Sequence, residues 1–399
     1  MKTSNDALLD LLGREHVQFV VPTYQRLYSW KHRQCEELWL DVHRAAKSNL
    51  THFVGTLLYE QDAQDAGGIT RLAVVDGQQR LTTLTLMLAA FARYLDAHAD
   101  AGAGVDAASI ERRFLKTTPA GSAAGAADAK DAAGPADLAD ATPADADSAT
   151  SIPAGALAGI ASQAKLLLSR TDRDTLLAVA MREELPKSPS ENVMANLAFF
   201  EGKMAEEGFD PAAFWRGVNL LFVVGAQVDR SDNAQLIFES LNSKGLPLTT
   251  ADLVRNYLLL AETHAEQTRL YDEYWSPIEG MFAPDPGSLR LDNAIQGWLS
   301  LRFRKVRAKG TGEVYSVFKR YVEDEFEGTT ESLLAELRNF SLVWAENYRY
   351  HAVKKFRSSF NWAINGAPTL VADRKLKKTD HEGAAQKYNE AMSAVDATQ

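Results

Sequence analysis

A chain of 399 residues, 46 % of them hydrophobic, can bury a substantial core and is long enough for two or three domains. Its 43 Lys and Arg against 53 Asp and Glu leave a net charge of -10, which excludes wholesale coating of a polyanion but not a local basic groove. The single Cys35 excludes an internal disulfide and a cysteine zinc site, and no stretch reaches the ~18 consecutive apolar residues of a membrane span, so a cytoplasmic protein with no membrane partner is expected.

Along the chain, HVQFVVP (16–22) predicts a strand stopped by Pro22, which has no N–H to continue a ladder. The segment 31–48 places Leu38, Val42 and Ala45 at helical spacing. Two apolar strands follow, HFVGTLLYE (52–60) and TRLAVVD (70–76), joined by a polar, glycine-containing stretch that suits a hairpin loop. A long helix over 77–99 completes a small α/β unit. From 118 to 155 the composition collapses to Ala, Asp, Gly, Pro, Ser and Thr, with too little apolar surface to offset the entropy of ordering. A flexible acidic surface insertion without a functional role is predicted there.

Beyond the insertion, AFWRGVNLLFVVGAQVD (213–229) contains an apolar strand, and SDNAQLIFESLNSKG (231–245) predicts a helix with a Ser/Asp cap that ends at Gly245. A further helix starts behind Thr249, Thr250 and Asp252, and amphipathic stretches such as 290–305 and 329–350 predict a helical bundle to the end. The expected fold class is therefore α+β. Residues 1–117 and 156–249 form the N-terminal domain, 118–155 the insertion and 250–399 the helical domain.

The run AVVDGQQRLTTLTLML (73–88) passes from buried strand to helix through Asp76, Gly77, Gln78, Gln79 and Arg80. A helix starting there leaves backbone N–H groups unpaired and favours an anion. Gly77 lets backbone approach a ligand closely, Gln78 and Gln79 offer amide donors, and Arg80 offers a planar fork for phosphate. Asp76 can orient Arg80, hold a metal ion or position a water; the plainer alternative is an ordinary helix start with Asp76 as N-cap. In FVVPTYQRLYSWKHRQCEELW (19–39), Tyr24, Gln25, Arg26, Tyr28 and Trp30 crowd a short connection. There Tyr24, Gln25 and Arg26 suit contact with nucleic acid, while Trp30 suits packing under the following helix. Asn242 and Lys244 beside Gly245 can face a ligand, and Asp252 is a helix-start charge. The basic clusters 302–310 and 374–378 can track a phosphate backbone or line a solvated helix face. There is no Walker-type phosphate loop and no histidine spacing of a nuclease finger or zinc protease.

Together and in this order, VPTYQRLYSW (21–30), VVDGQQRLTTL (74–84) and IFESLNSKGLPLTTADLVRNYL (237–258) resemble the N-terminal domain of GmrSD-type modification-dependent restriction enzymes, which include SspE-like phosphorothioate sensors of bacterial antiviral defence. The resemblance implies a ParB/sulfiredoxin-like α/β fold whose Asp-Gly-Gln-Gln-Arg turn binds and hydrolyses a nucleoside triphosphate, GTP being the usual candidate. It gives Asp76 and Arg80 catalytic roles and makes Gly77, Gln78, Gln79, Thr82, Thr83, Asn242 and Lys244 nucleotide-binding. Asp76 becomes the candidate holder of Mg2+, and Tyr24, Gln25, Arg26 and Tyr28 become sensors of the DNA modification. Modified double-stranded DNA is the implied partner, and a homo-oligomer is compatible with it. No HNH motif follows, so cleavage is expected to belong to a missing nuclease domain or a separate subunit. Two further readings stay open: a nucleotide-gated DNA-binding module without turnover, and a protein-protein adaptor.

Overall fold

In the computed structural model the described residues are 2–64, 68–98, 100, 102–117, 160–228, 248–282, 291–302 and 310–350. They fall into two units divided between Ala234 and Gln235.

The first unit is built on a mixed six-stranded sheet: β1 (Lys2–Ala7), β2 (Val17–Val20), β3 (His52–Gln64), β4 (Thr70–Asp76), β5 (Leu166–Leu167) and β6 (Leu221–Val228), in the order β1-β6-β3-β4-β2-β5. The predicted hairpin is present, since β3 and β4 pair antiparallel from Leu58↔Asp76 to Gln64↔Thr70. β4 also pairs parallel with β2, with Val20 opposite Ala73. Leu72, Ala73, Val74 and Val75 are all buried, the mark of a strand covered on both faces. β1 was not anticipated: its polar run KTSNDA carries no apolar alternation, and it is held at the sheet edge by antiparallel pairing with β6.

Among the described residues seven α-helices accompany the sheet, α1 (Leu8–Leu12), α2 (His32–Ser48), α3 (Gln78–Ala97), α4 (Ala107–Ile110), α5 (Arg170–Met181), α6 (Glu191–Met204) and α7 (Pro211–Asn219), with a π-helical turn at Glu111–Leu115 after α4. α3 is buried along nearly its whole length, from Gln78 to Leu95, so it runs through the core rather than over it. Phe91 on α3 packs on Phe214 and Trp215 of α7 at ring distances of 4.8 and 6.0 Å. Trp39 on α2 reaches the same Phe214 at 5.1 Å. These rings tie the helices to one cluster that includes Phe19, Val74 and Leu57 of the sheet. Residues 118–155 lie outside the described residues, but the chain on either side of them is joined. Lys116 bridges Ala164, and Thr117 N–H donates to Gln163 C=O at 2.7 Å.

The second unit is helical among its described residues: α8 (Thr250–Leu260), α9 (His264–Leu270), α10 (Ser276–Phe282), α11 (Leu291–Arg302), α12 (Thr311–Asp324) and α13 (Thr330–Tyr350), with a π-turn at Tyr271–Trp275. Its core holds Trp275, Trp298 and Phe318, each almost fully buried. Asp252 is the helix-start charge that the sequence suggests: it completes a capping box with Thr249 and pairs with Arg255 at 2.8 Å. No described helix is long and apolar enough to cross a membrane.

Candidate functional site

The strand-to-helix turn is shaped by two glycines. Gly77, at φ +96°, caps α3 in a left-handed conformation that a side chain disfavours. A Cβ on it would stand 2.9 Å from Leu57 Cδ1 and 3.0 Å from Thr56 O. The close approach that Gly77 permits is therefore to β3 of its own chain. It, and not Asp76, is the N-cap, which corrects the plainer helix-start reading. The second glycine, Gly55, lies in β3 at φ +115°, where the pairing with β6 shifts register between Phe53 and Thr56. The sequence places it inside the predicted strand 52–60, and an isolated glycine in such a run is the signal for a bulge or a close approach.

Arg80 uses that space. Its Nη1 donates to Thr56 C=O at 2.9 Å, and its guanidinium lies against the Cα of Gly55. Burial drives the Asp76 carboxyl above the usual carboxylate range, opposed by the Gly77 N–H and by the charges of Arg80 and Arg26. Burial likewise lowers Arg80, opposed by Asp76. For both groups desolvation outweighs their mutual attraction, so the carboxyl and the guanidinium each sit where water is largely excluded.

The two glutamines separate in role. Gln79 is committed to the protein itself: its Oε1 accepts from Ser29 N–H at 2.7 Å and Trp30 N–H at 3.2 Å, and its Nε2 donates to Leu27 C=O at 3.2 Å. Gln78 is more than nine-tenths buried, yet its side-chain amide makes no hydrogen bond to a described residue. Thr82 and Thr83 are buried and turn their hydroxyls back along α3, to Gln78 C=O at 2.9 Å and Gln79 C=O at 2.8 Å. Their side chains face the fold, which corrects the expectation that they lie at the phosphates.

The 22–31 loop needs a larger correction. The sequence suggested aromatics on a connection where no core demands them, but Tyr24 is 2 % and Tyr28 4 % exposed, with the ring faces enclosed. Burial pushes both phenols well above the ordinary tyrosine range. Tyr28 Oη lies 2.7 Å from Thr83 Oγ1 and accepts from Asn196 Nδ2 at 2.8 Å. Its N–H donates to the buried Asp172, and Asn192 donates to its C=O at 2.9 Å. Arg170 Nη2 donates to Gln25 C=O at 2.8 Å, and Gln25 Nε2 donates to Val75 C=O at 2.9 Å. Asp172, Asn192 and Asn196 were missed because each lies more than 140 residues from the loop it fastens. Trp30 is partly buried and packs against the core, as the sequence suggested. At the loop surface Leu27 is exposed and Arg26 half-exposed.

Asn242 and Lys244 lie outside the described residues, as do 303–309 and 374–378 of the two basic clusters. Arg302 of the first cluster is described, and it pairs with Glu336 and stacks on Trp298 at 4.3 Å. What converges at the turn is thus the N-terminus of a 20-residue helix, the Gln78 side chain, the Arg80 guanidinium on β3, and a carboxyl that feels the charges of Arg80 and Arg26. Leu81 N–H is the first to find its acceptor inside the helix, Gly77 C=O at 3.0 Å, so the N–H groups of Gln78, Gln79 and Arg80 have none there. This donor set suits an anion. No group of three His, Cys, Asp or Glu among the described residues could hold a metal ion alone. Mg2+ needs less when substrate phosphates complete its shell, and Asp76 fits that single-carboxylate role.

Residues 8–259 match the family model described as GmrSD restriction endonuclease, N-terminal domain. No curated protein matches the chain.

Proposed function

The chain belongs to the family of GmrSD restriction endonuclease N-terminal domains, and from this we propose that it senses modified DNA and hydrolyses a nucleoside triphosphate in a phage-restriction system. GTP is the first candidate substrate. The observation that carries the reading is the open N-terminus of α3, whose first N–H groups have no acceptor in the helix, with the buried Asp76 and Arg80 near enough for each charge to act on the other. In this reading the N–H groups of Gln78, Gln79 and Arg80 bind phosphate oxygens. The Arg80 guanidinium stabilises the charge that grows on them in the transition state. Asp76, whose carboxyl feels the charges of Arg80 and Arg26, orients the attacking water; it is also the residue that would hold Mg2+, whose chemistry is to neutralise phosphate charge.

Modified duplex DNA is the proposed partner, met at the surface of the 22–31 loop, where Leu27 is exposed, with Tyr24, Gln25 and Tyr28 shaping that surface from within. A ParB/sulfiredoxin-like ancestry of the sheet belongs to the same proposal, as does a nuclease module that cuts when hydrolysis reports bound DNA. The test is phosphate release from GTP and ATP, alone and with unmodified, phosphorothioated or glucosylated hydroxymethylcytosine DNA. Turnover raised by one modified DNA and abolished by Arg80→Ala is expected. Nucleotide binding with no release in any arm would replace hydrolysis with nucleotide-gated DNA binding, and absence of both ligands would leave an adaptor.

A further inference from the structure

β3 runs on past the end of its neighbour. Asp76, the last residue of β4, stands opposite Leu58, whereas β3 begins at His52. The overhanging residues 52–57 lie alongside the start of α3: a Cβ on Gly77 would meet Leu57 and Thr56, and Arg80 donates to Thr56 C=O with its guanidinium against Gly55. Two residues before Gly55 on the same overhang is Phe53, which is 50 % exposed, whereas every other described phenylalanine and tryptophan is buried or half-buried. Its ring lies 5.3 Å from that of Phe222, its register partner on β6. Val54, Leu221 and Val223 pack with the helix-covered cluster, so strand alternation puts the two rings on the opposite face of the sheet. Val224, opposite Thr56 and half-buried, carries the same apolar face toward the carbonyl that Arg80 binds.

We propose that Phe53, supported by Phe222, is the platform on which the base of the bound nucleotide stacks. This rests on the phosphate-binding reading of the turn and deepens it, since that reading gives the phosphates a place and the base none. One strand carries both parts. Residues two apart in a strand are separated by roughly 7 Å, so a ligand with its phosphates at Arg80 needs to extend only about that far along β3 to meet the ring. The chemistry of the two ends differs in the sense a nucleotide requires: a guanidinium and helix N–H groups at one, and at the other an apolar π-face with no hydrogen-bonding group. A lone exposed apolar side chain is ordinary, but neighbouring rings on a sheet face beside an anion site call for a ligand. Duplex DNA fits the ring less well, because its bases are already stacked and must be extruded before a side chain can reach their faces. Stacking accepts any base, so the platform adds affinity without choosing guanine over adenine.

The experiment measures binding of GTP and of inorganic triphosphate by titration calorimetry, and the oligomeric state by sedimentation, for the full chain and for Phe53→Ala, Phe53→Trp and Arg80→Ala. Loss of one base-stacking ring predicts a fall of about five- to a hundredfold in GTP affinity for Phe53→Ala, with triphosphate affinity within about twofold of the parent because that ligand has no base. Phe53→Trp keeps a stacking face and is expected to hold GTP at least as tightly as the parent. Arg80→Ala is expected to lose both ligands. Phe53→Ala that binds GTP as the parent does, while Arg80→Ala binds neither ligand, overturns the platform and leaves the turn as the phosphate site. An equal loss of GTP and triphosphate in Phe53→Ala also overturns it, since the ring would then act on the shape of the turn. A changed oligomeric state with GTP affinity intact makes the rings a contact between copies of the chain and overturns it too. A parent that binds neither ligand removes the phosphate reading itself, and the platform with it.

Discussion

The guanidinium of Arg80 occupies the place that a side chain on Gly55 would fill: a Cβ there would fall 2.5 Å from Arg80 Cζ and Nη2. A bulged glycine in one strand thus seats the arginine that leaves the helix after the next strand. Gly55→Ala must both displace that guanidinium and hold φ near +115°, strain of about 1–3 kcal/mol. Lower thermal stability is expected, together with a loss of nucleotide turnover as large as in Arg80→Ala. In the Arg80→Ala background the same substitution is expected to remove no further turnover, which separates the seat from general damage. Full turnover by Gly55→Ala would show that the seat is irrelevant to the site.

Tyr28 is predicted to matter for stability rather than as a stacking surface. Tyr28→Phe leaves Asn196 and Thr83 buried with one partner fewer, and should lower unfolding free energy by about 1–3 kcal/mol in urea titration. Leu27→Ser, on the same loop but exposed, should change it by no more than about 0.5 kcal/mol. Equal effects of the two would contradict the enclosed position of Tyr28.

Residues 118–159 can be removed if the bridge beside them is what closes the fold. Thr117 and Gln163 are hydrogen-bonded at 2.7 Å, and Lys165 N–H donates to Leu115 C=O at 2.9 Å, so a Gly/Ser turn of about four to six residues spans the gap. The shortened chain is expected to melt within a few degrees of the parent and to keep its nucleotide affinity. A chain that fails to fold would assign the segment a structural duty.

Lys165 gives the protein a pH signature. Its side chain is 3 % exposed and donates to Arg14 C=O at 2.7 Å, and burial lowers its pKa to about 8. Because the unfolded chain holds this proton up to ~10.4, the unfolded state binds more protons between those values, and stability rises with pH across that window. The cumulative effect is about 3 kcal/mol. Lys165→Met should flatten this rise between pH 7.5 and about 9.5 in denaturant titrations, whatever it does to absolute stability. An unchanged slope would place the Lys165 ammonium in water.

The turn was legible from its own residues because its chemistry is local: strand, glycine and helix start follow one another at 76–80, and the N-terminus of α3 falls where the pattern predicts. β3, β4, α2 and the cap at Thr249 were legible for the same reason, each being marked by periodicity or capping within one short window. The direction in which the motif side chains point was not. Gln78 and Gln79 are adjacent and chemically identical, yet one amide grips a loop about 50 residues earlier in the chain and the other has no described partner.

The sequence by itself determined the family, the alternation of strand and helix, and the Asp-Gly-Gln-Gln-Arg turn that carries the candidate chemistry. Tertiary structure alone decided that Tyr24 and Tyr28 are core, that Gly55 seats Arg80, and that Gln25 and Gln79 fasten the 22–31 loop to the turn. The division follows from range. Backbone propensity and capping act over a few residues and leave a periodic trace, whereas the partner of a buried polar group is chosen by packing between distant segments, which one-dimensional spacing does not encode.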